Sequence, residues 1–424
     1  MEYKSIDCKS YSIHTIKTNR FKTSKIEVIF RAKVDEKTIA LNSFLAAMLN
    51  ESSKKYPTRR KLAIKCEDLY KTYYYCFANK VGDCLNTIFS VNFINPEFIS
   101  EKDYLENVIE FLFEMINKPN VINEEFDIDT FKIVKNNILL DIESIEENAE
   151  KKAINNALVT MDSESVSSLS ILGTKEDVEK ITPEKLYEAY QNLINNSLID
   201  IFIIGNTNMD NIVKYIKKYY HNRKIRTSKI DYYIENKLRK NPLEKEDSSS
   251  FLQSQLVCLY NLDNLTKDEK EITFHLLNYI LGSGGLSSKL YRYIREENSY
   301  CYRISSMYFK YDNLLCIASS LAKENVMHTV KLITKSIKEM QNGEFTEEDI
   351  KDAKQNMLLS LNVNKNNPSA VLANFEFKVF LGNYDINEKI ELIEKITKAD
   401  IVSLAKKIKE NTIYVLSEEQ DERD

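Results

Sequence analysis

The amino-acid sequence repeats itself at long range. Residues 135–142 (KNNILLDI) are similar to residues 354–361 (KQNMLLSL), which lie 219 positions further on. Residues 179–182 (EKIT) recur as residues 394–397, 215 positions further on and in the same order. Because short helical stretches seldom match by chance in the same order at nearly the same offset, the chain is predicted to consist of two similar units of about 200 residues each.

Hydrophobic periodicity predicts that each unit mixes strands with long helices. Alternating or continuous apolar runs predict strands, whereas apolar positions three and four apart predict helices. The predicted strands are residues 24–34, 72–78, 86–92, 198–204 and 412–416, and the predicted helices are residues 37–51, 102–117, 127–160 and 182–193. The last of these helices opens with Thr182 at the N-cap and Pro183 at the first helical position. The fold class is therefore predicted to be α+β, with helices layered on a mostly antiparallel sheet in each unit.

The predicted domains are residues 1–222 and 248–424, joined by a linker at 223–247. The connecting stretch is rich in tyrosine and charge, and acids are interspersed among its lysines and arginines. A nucleic-acid patch is one interpretation of such a segment. A solvated linker fits the interspersed acids better.

Composition excludes several classes of protein and partner. A net charge of −5 offers no basic surface for nucleic acid. Seven cysteines, scattered and without a C-x-x-C pair, are typical of free thiols in a reducing compartment. The N-terminus has no apolar signal region, and the longest apolar runs are far too short to span a bilayer. The sequence predicts a soluble, cytoplasmic protein that binds neither nucleic acid nor membrane.

Three of the 8 glycines fall close together, as Gly282, Gly284 and Gly285. A cluster of this kind in a glycine-poor chain indicates a backbone that needs positive φ or the close approach of another group. It follows an apolar helical run and precedes Ser288, a plausible start for the next helix. No strand leads into it and no G-K-[ST] ends it, so a phosphate-binding loop is unsupported. A helix C-terminus with a tight turn is the structural alternative.

The glycine cluster and the residues after it resemble a known family. The pattern L-G-x-G-G-x-S-S-K-L, followed by R-E and a later Tyr, is similar to the second-domain signature of the pitrilysin/insulinase-like peptidases, which include the mitochondrial processing peptidases. The resemblance implies two tandem homologous α/β-sandwich domains. It also implies that Arg295 and Tyr302, seven residues apart, bind the substrate backbone beside the turn formed by Gly282, Gly284 and Gly285. A guanidinium and a phenol can both donate hydrogen bonds to a peptide carbonyl.

Active members of that family carry an H-x-x-E-H zinc motif on a helix of the first domain. The matching helix here reads S-F-L-A-A, so Ser43 and Ala47 occupy the histidine positions and Ala46 that of the general-base Glu. Asp141 resembles the third-ligand position by its local pattern, although it follows Ala47 by 94 residues, a wider gap than the family shows. One carboxylate cannot hold zinc. The resemblance implies no metal and no cofactor on this chain, with zinc on a partner subunit only.

No other residues offer an evident replacement for that site. The four histidines are far apart in sequence, at His14, His221, His275 and His328. Four acidic residues of the helical segments could approach one another, but carboxylates on helices are usually solvated: Glu51, Asp141, Glu143 and Glu146. No G-x-S-x-G elbow is present either. The chain is predicted to contain no catalytic residues.

The resemblance then implies a specific role. In two-subunit members of the family, one chain supplies the zinc motif and the other the arginine–tyrosine pair. The chain is therefore expected to be the non-catalytic, peptide-binding subunit of a heterodimeric zinc peptidase, with a zinc-bearing paralogue as partner and a peptide or unfolded polypeptide as substrate. Residues 117–150 also resemble the non-catalytic peptidase-like protein encoded with elongation-factor-P modification genes. A structural scaffold without a peptide role and an active peptidase with unusual ligands are the alternatives.

Overall fold

The computed structural model describes residues 1–220 and 229–419. The chain divides into two compact units, each assembled from three segments of sequence. The first comprises Met1–Ile142, Ser170–Tyr232 and Lys365–Glu376, and the second comprises Glu143–Leu169, Tyr233–Asn364 and Phe377–Asp424. His221 and residues 223–228 of the predicted linker lie outside the described residues.

The N-terminal half of the chain alternates strands and helices as its periodicity predicts. Its strands are β1 (Glu2–Asp7), β2 (Ser12–Lys17), β3 (Thr23–Lys33), β4 (Tyr73–Val81), β5 (Cys84–Ile94), β6 (Val121–Ile122), β7 (Glu125–Phe126) and β8 (Leu198–Gly205). Its helices are α1 (Ile39–Glu51), α2 (Arg59–Asp68), α3 (Tyr104–Asn117), α4 (Ile128–Glu146), α5 (Ala149–Met161), α6 (Lys175–Glu179), α7 (Pro183–Asn196) and α8 (Met209–Tyr219). Thr182 caps α7 by accepting from the Lys185 N–H, and Pro183 opens the helix, as predicted.

The C-terminal half has fewer strands and several π-helical turns. Its strands are β9 (Leu243–Ser249), β10 (Ser254–Leu262), β11 (Cys301–Phe309), β12 (Leu314–Leu321) and β13 (Ile408–Glu418). Its α-helices are α9 (Phe274–Asn278), α10 (Val326–Asn342), α11 (Glu347–Asn364), α12 (Pro368–Leu381), α13 (Ile386–Lys395) and α14 (Lys398–Ala405). The π-helical turns are Glu269–Thr273, Tyr279–Ser283 and Tyr291–Glu296.

The first unit is built on a six-stranded mixed sheet in the order β1-β2-β8-β3-β5-β4. Only the β2–β8 pairing is parallel. One face of the sheet packs against α1, α3, α7 and α8 and forms a core rich in aromatic residues. The opposite face carries Lys25, whose Nζ donates to Ser369 Oγ at 2.9 Å, so residues 365–376 cover that face.

The second unit has a five-stranded mixed sheet in the order β11-β12-β10-β13-β9, in which β9 and β13 are parallel. Helices α9, α10 and α14 cover one face. Helix α5 covers the other, where Ala153, Ala157 and Met161 are fully buried. The Asn156 side chain of α5 donates to the Tyr414 hydroxyl of β13 at 2.9 Å.

The two sheets confirm the duplication and the predicted α+β class. Strands β2, β8, β3, β5 and β4 of the first sheet have the same order as β9, β13, β10, β12 and β11 of the second. Helices α4 and α11 begin 219 residues apart, as do α5 and α12. This separation equals the offset of the repeat in the sequence, so the repeated segments have the same place in both halves.

The predicted helix at 127–160 is wrong as a single element. The chain forms two helices, α4 and α5, with Asn148 between them. The Asn148 side chain accepts a hydrogen bond from the Lys151 N–H at 3.0 Å and starts α5 as an N-cap. The break allows α5 to cover the second sheet.

The stretch predicted as a solvated linker contains ordered, buried residues. Tyr232 is fully buried, its carbonyl accepts a hydrogen bond from the Asp83 N–H at 3.0 Å, and β9 begins at Leu243. The interspersed charges of this stretch gave no indication in the sequence that Tyr232 is buried. Among the described helices, none combines the length and apolar character that a bilayer crossing needs.

Candidate functional site

The residues at the zinc-motif positions lie on α1, and two of the three are built into the core of the first unit. Ala46 is fully buried, and Ser43 is buried with its hydroxyl donating to the Ile171 carbonyl at 2.6 Å. Ala47 is half-buried and packs against the same core. None of these side chains can bind zinc. The methyl groups of Ala46 and Ala47 have no ligand atom, and the Ser43 hydroxyl, which donates to a carbonyl, is not a ligand of the kind that zinc requires.

Asp141 lies on α4, where it is exposed to solvent. Among residues 1–220 and 229–419, no group of three or more histidine, cysteine or acidic side chains could hold a metal ion. The described residues therefore do not fit the zinc site of the family that the sequence resembles.

The glycine-rich turn of the second unit follows the π-helical turn Tyr279–Ser283. Gly285 adopts a φ of +61°, as predicted for a backbone that needs glycine. A Cβ on Gly282 would lie 2.6 Å from Ser306 Oγ and 2.7 Å from Leu290 Cδ1, and one on Gly284 would lie 2.6 Å from the Tyr279 carbonyl. Gly282 and Gly284 thus permit close packing. A role of the three glycines in substrate binding stays a prediction.

Arg295 lies in the turn Tyr291–Glu296, which follows Ser288 as predicted from sequence. The Glu297 N–H donates to the Arg292 carbonyl five residues earlier at 2.9 Å, as a π-helix requires. Ile294 is fully buried beneath the turn, whereas Arg295 is exposed and its guanidinium lies 4.9 Å from the centre of the Tyr291 ring. The charged group is thus held over an aromatic face with its donors open to solvent.

Tyr302 lies at the start of β11, an edge strand of the second sheet. Cys301 is paired with Leu321 and Arg303 with Ser320, so Tyr302 is the extra residue of a β-bulge. Bulges redirect side chains, and the Tyr302 side chain is 77% exposed. The bulge therefore turns the Tyr302 side chain toward solvent.

A buried ion pair that the sequence did not reveal supports the turn that bears Arg295. Lys289 Nζ lies 2.8 Å from Glu339 Oε2, and the Tyr293 hydroxyl donates to the same oxygen at 2.9 Å. Burial raises the pKa of Glu339, but the hydrogen bonds from Lys289 and Tyr293 outweigh it and lower the pKa overall. In the sequence, only the spacing of the apolar residues around Lys289 and Glu339 indicates that these two charged side chains are buried.

A second buried network lies on the first sheet. Asp200 accepts hydrogen bonds from Arg31 Nη2 at 2.6 Å, and its other oxygen lies 3.1 Å from His14 Nε2. Burial raises the pKa of Asp200, but His14 and Arg31 lower it below its ordinary range. The lone polar residue in the apolar run 198–204 was the available sequence signal for this network.

Two buried carboxyl groups meet on the same face of that sheet. Lys25 Nζ lies 2.6 Å from Glu27 Oε1, and Glu376 lies against Glu27. Burial and the charge of Glu27 raise the pKa of Glu376 well above its ordinary value. Glu376 Oε1 has no hydrogen-bond partner within the described residues. Burial and the neighbouring charge therefore favour the protonated form of Glu376.

Comparison with known proteins finds a matching family model and a similar protein. Residues 180–357 match the family model of the peptidase M16 inactive domain. The chain is 23% identical over 407 residues to the probable inactive metalloprotease YmfF of Bacillus subtilis, covering 95% of each protein.

Solved structures share the fold. A conserved protein from Enterococcus faecalis superposes with a TM-score of 0.94 at 23% identity, over 99% of both chains. A peptidase M16 inactive domain from Pseudomonas fluorescens superposes with a TM-score of 0.80 at 16% identity, over 100% of both chains. The chain thus lacks every ligand of the zinc motif on α1, is similar to a probable inactive metalloprotease and, over residues 180–357, to the peptidase M16 inactive domain, and shares the fold of a solved M16 inactive domain.

Proposed function

We propose that this chain is the non-catalytic, peptide-binding subunit of a heterodimeric M16 zinc peptidase. It supplies Arg295 and Tyr302 to the substrate, while a zinc-bearing paralogue supplies the hydrolytic residues. The exposure of Tyr302 in the β-bulge of an edge strand carries this proposal, because a bulky aromatic side chain held at 77% exposure gains nothing from packing.

The chemistry of the two side chains suits a peptide backbone. A guanidinium presents several N–H donors and a phenol one O–H donor, and peptide carbonyls and the C-terminal carboxylate accept from both. Among the described strands, none pairs with the outer edge of β11, so an extended peptide can add there as a further strand. The substrate class is therefore peptides or unfolded polypeptides in an extended conformation.

Co-expression with a zinc-motif paralogue tests the pairing. We expect the two chains to purify together, with zinc bound to the paralogue, and the mixture to cleave peptides that neither chain cleaves alone. Arg295→Ala and Tyr302→Phe should each reduce kcat/KM by about tenfold or more, because each removes one hydrogen bond to the substrate. Arg60→Ala and Tyr70→Phe, at exposed positions of the first unit, are the matched controls.

Three results would count against the proposal. Failure of the two chains to associate would remove the partner role. Cleavage unaffected by Arg295→Ala and Tyr302→Phe in an intact heterodimer would favour a scaffold without a peptide role. Stoichiometric zinc on this chain purified alone would instead point to an active peptidase with unusual ligands.

The proposed partner and compartment follow from the same argument. A paralogue with an intact H-x-x-E-H helix and a similar length would provide what α1 lacks. Seven free cysteines, five of them buried, fit the cytoplasm, where thiols stay reduced.

A further inference from the structure

The two sheets correspond strand for strand except at one end. Beyond β2 the first sheet continues with β1, and α8 follows β8 and packs beside α3 with Ile212 and Ile216 fully buried. In the second sheet, β9 has the place of β2 and α10 that of α3. Within residues 229–419, no strand pairs with the outer edge of β9 and no helix follows β13.

A groove occupies the place in the second unit that α8 fills in the first. It has a volume of about 420 Å³ and runs between the first turns of α10 and the β9–β13 edge. Its apolar lining is Val326, Met327, Val330, Ile413 and Val415. Met327 is 62% exposed, so an apolar side chain at the groove is left without cover. A space of this size admits a few apolar side chains from one face of a helix.

Two acids and two lysines line the rim of the groove, and of these four residues only Glu244 makes no ion pair within the described part of the chain. Glu246 is neutralised by Lys323, with Nζ 3.1 Å from Oε1. Glu244 lies near another acid, Glu410, whose pKa is raised by burial and by the charge of Glu244. A cation placed beside Glu244 would complement this pair.

We propose that this groove binds an amphipathic, basic α-helix of a partner protein. The internal repeat indicates the kind of occupant, because α8 combines the two buried isoleucines with Lys214, Lys217 and Lys218 on its polar side. Apolar residues one helical turn apart enter the groove, and a lysine on the same helix approaches Glu244. The inference stands independently of the peptide-binding role of Arg295 and Tyr302.

A labelled synthetic peptide of residues 207–219 provides the probe, since it reproduces the helix that occupies the equivalent place. Fluorescence anisotropy with the full chain should show saturable binding. Met327→Glu and Glu244→Lys should each weaken binding by about tenfold, because one places a charge in the apolar groove and the other repels the lysines. Leu359→Glu, at a position 65% exposed on α11, is the matched control and should bind as the unaltered chain does.

Each of the following results would contradict the proposed binding of a helix in this groove. Absence of saturable binding to folded chain, or equal binding by a peptide with Ile212→Asp and Ile216→Asp, would exclude a helix-binding groove. Binding unchanged by Met327→Glu would place the peptide elsewhere. If sedimentation instead shows a dimer that Met327→Glu dissociates, a second copy of this chain covers the groove. Strand-like infrared bands in the bound peptide would indicate addition to the β9 edge.

Discussion

Ser306 and Asn278 tie the strand that begins beside Tyr302 to the helix that precedes the glycine-rich turn. The Ser306 hydroxyl donates to Asn278 Oδ1 at 2.6 Å, and Asn278 Nδ2 donates to the Ser306 carbonyl at 3.3 Å. Both side chains are buried, and Gly282 packs directly on Ser306. The position of β11 therefore depends on a turn that is distant in sequence.

Gly282→Ala should destabilise the protein by about 1–3 kcal/mol, because the new methyl group meets both Ser306 and Leu290. The free energy of unfolding from urea titration checks this. Ser283→Ala, one residue along at an exposed position, should leave stability within about 0.5 kcal/mol. Equal stability of Gly282→Ala and Ser283→Ala would show that the turn has room to relax.

Restoring the general-base carboxylate of the zinc motif should fail structurally. Ala46→Glu would bury a carboxylate where the methyl group is now fully enclosed, and we expect a loss of about 3–5 kcal/mol or no folded protein. Ala63→Glu, at an exposed position of α2, is the control. A stable Ala46→Glu variant would mean that α1 retains the open position that a catalytic helix needs.

Glu376 should make stability decrease as pH rises. Its pKa is raised in the folded state, so above the ordinary value of 4.5 the unfolded chain is ionised while the folded chain keeps the proton. Unfolding therefore releases a proton from that pH up to the raised pKa. Glu376→Gln should stabilise the protein at neutral pH and flatten this part of the stability–pH profile, measured by urea titration between pH 5 and about pH 8. The exposed Glu391→Gln should leave the profile unchanged.

Arg31→Met should destabilise the protein by about 3–5 kcal/mol, because Asp200 would remain buried without its guanidinium partner. The sign of the pH effect is opposite to that of Glu376. The pKa of Asp200 is lowered, so its stabilising contribution is complete above 3.8 and is lost as pH falls through the lowered pKa. The variant should therefore unfold in acid at a higher pH than the unaltered chain, as followed by circular dichroism. An unchanged acid midpoint, equal to that of Arg60→Met, would show that His14 alone holds the charge of Asp200.

The sequence alone was sufficient for the elements whose signal is local. Periodicity located α1, α3, α7 and β8, and the repeat at 219 residues established the duplication, because both depend on the order of side chains along the chain. The positive φ at Gly285 was likewise predictable, since only glycine adopts it without strain. The loss of zinc ligands at Ser43, Ala46 and Ala47 also needed no coordinates.

Only the tertiary structure decided where distant segments meet. Helical periodicity continues from α4 into α5, so the sequence pattern does not show the break at Asn148. The burial of α5 depends on the surface that β10 and β13 form in the second sheet. The bulge at Tyr302 arises from pairing with β12. The raised pKa of Glu376 arises from burial and from the charge of Glu27, which lies 349 positions earlier in the chain. Hydrogen-bond register, desolvation and charge pairing act between groups in space, and a linear pattern does not contain those distances.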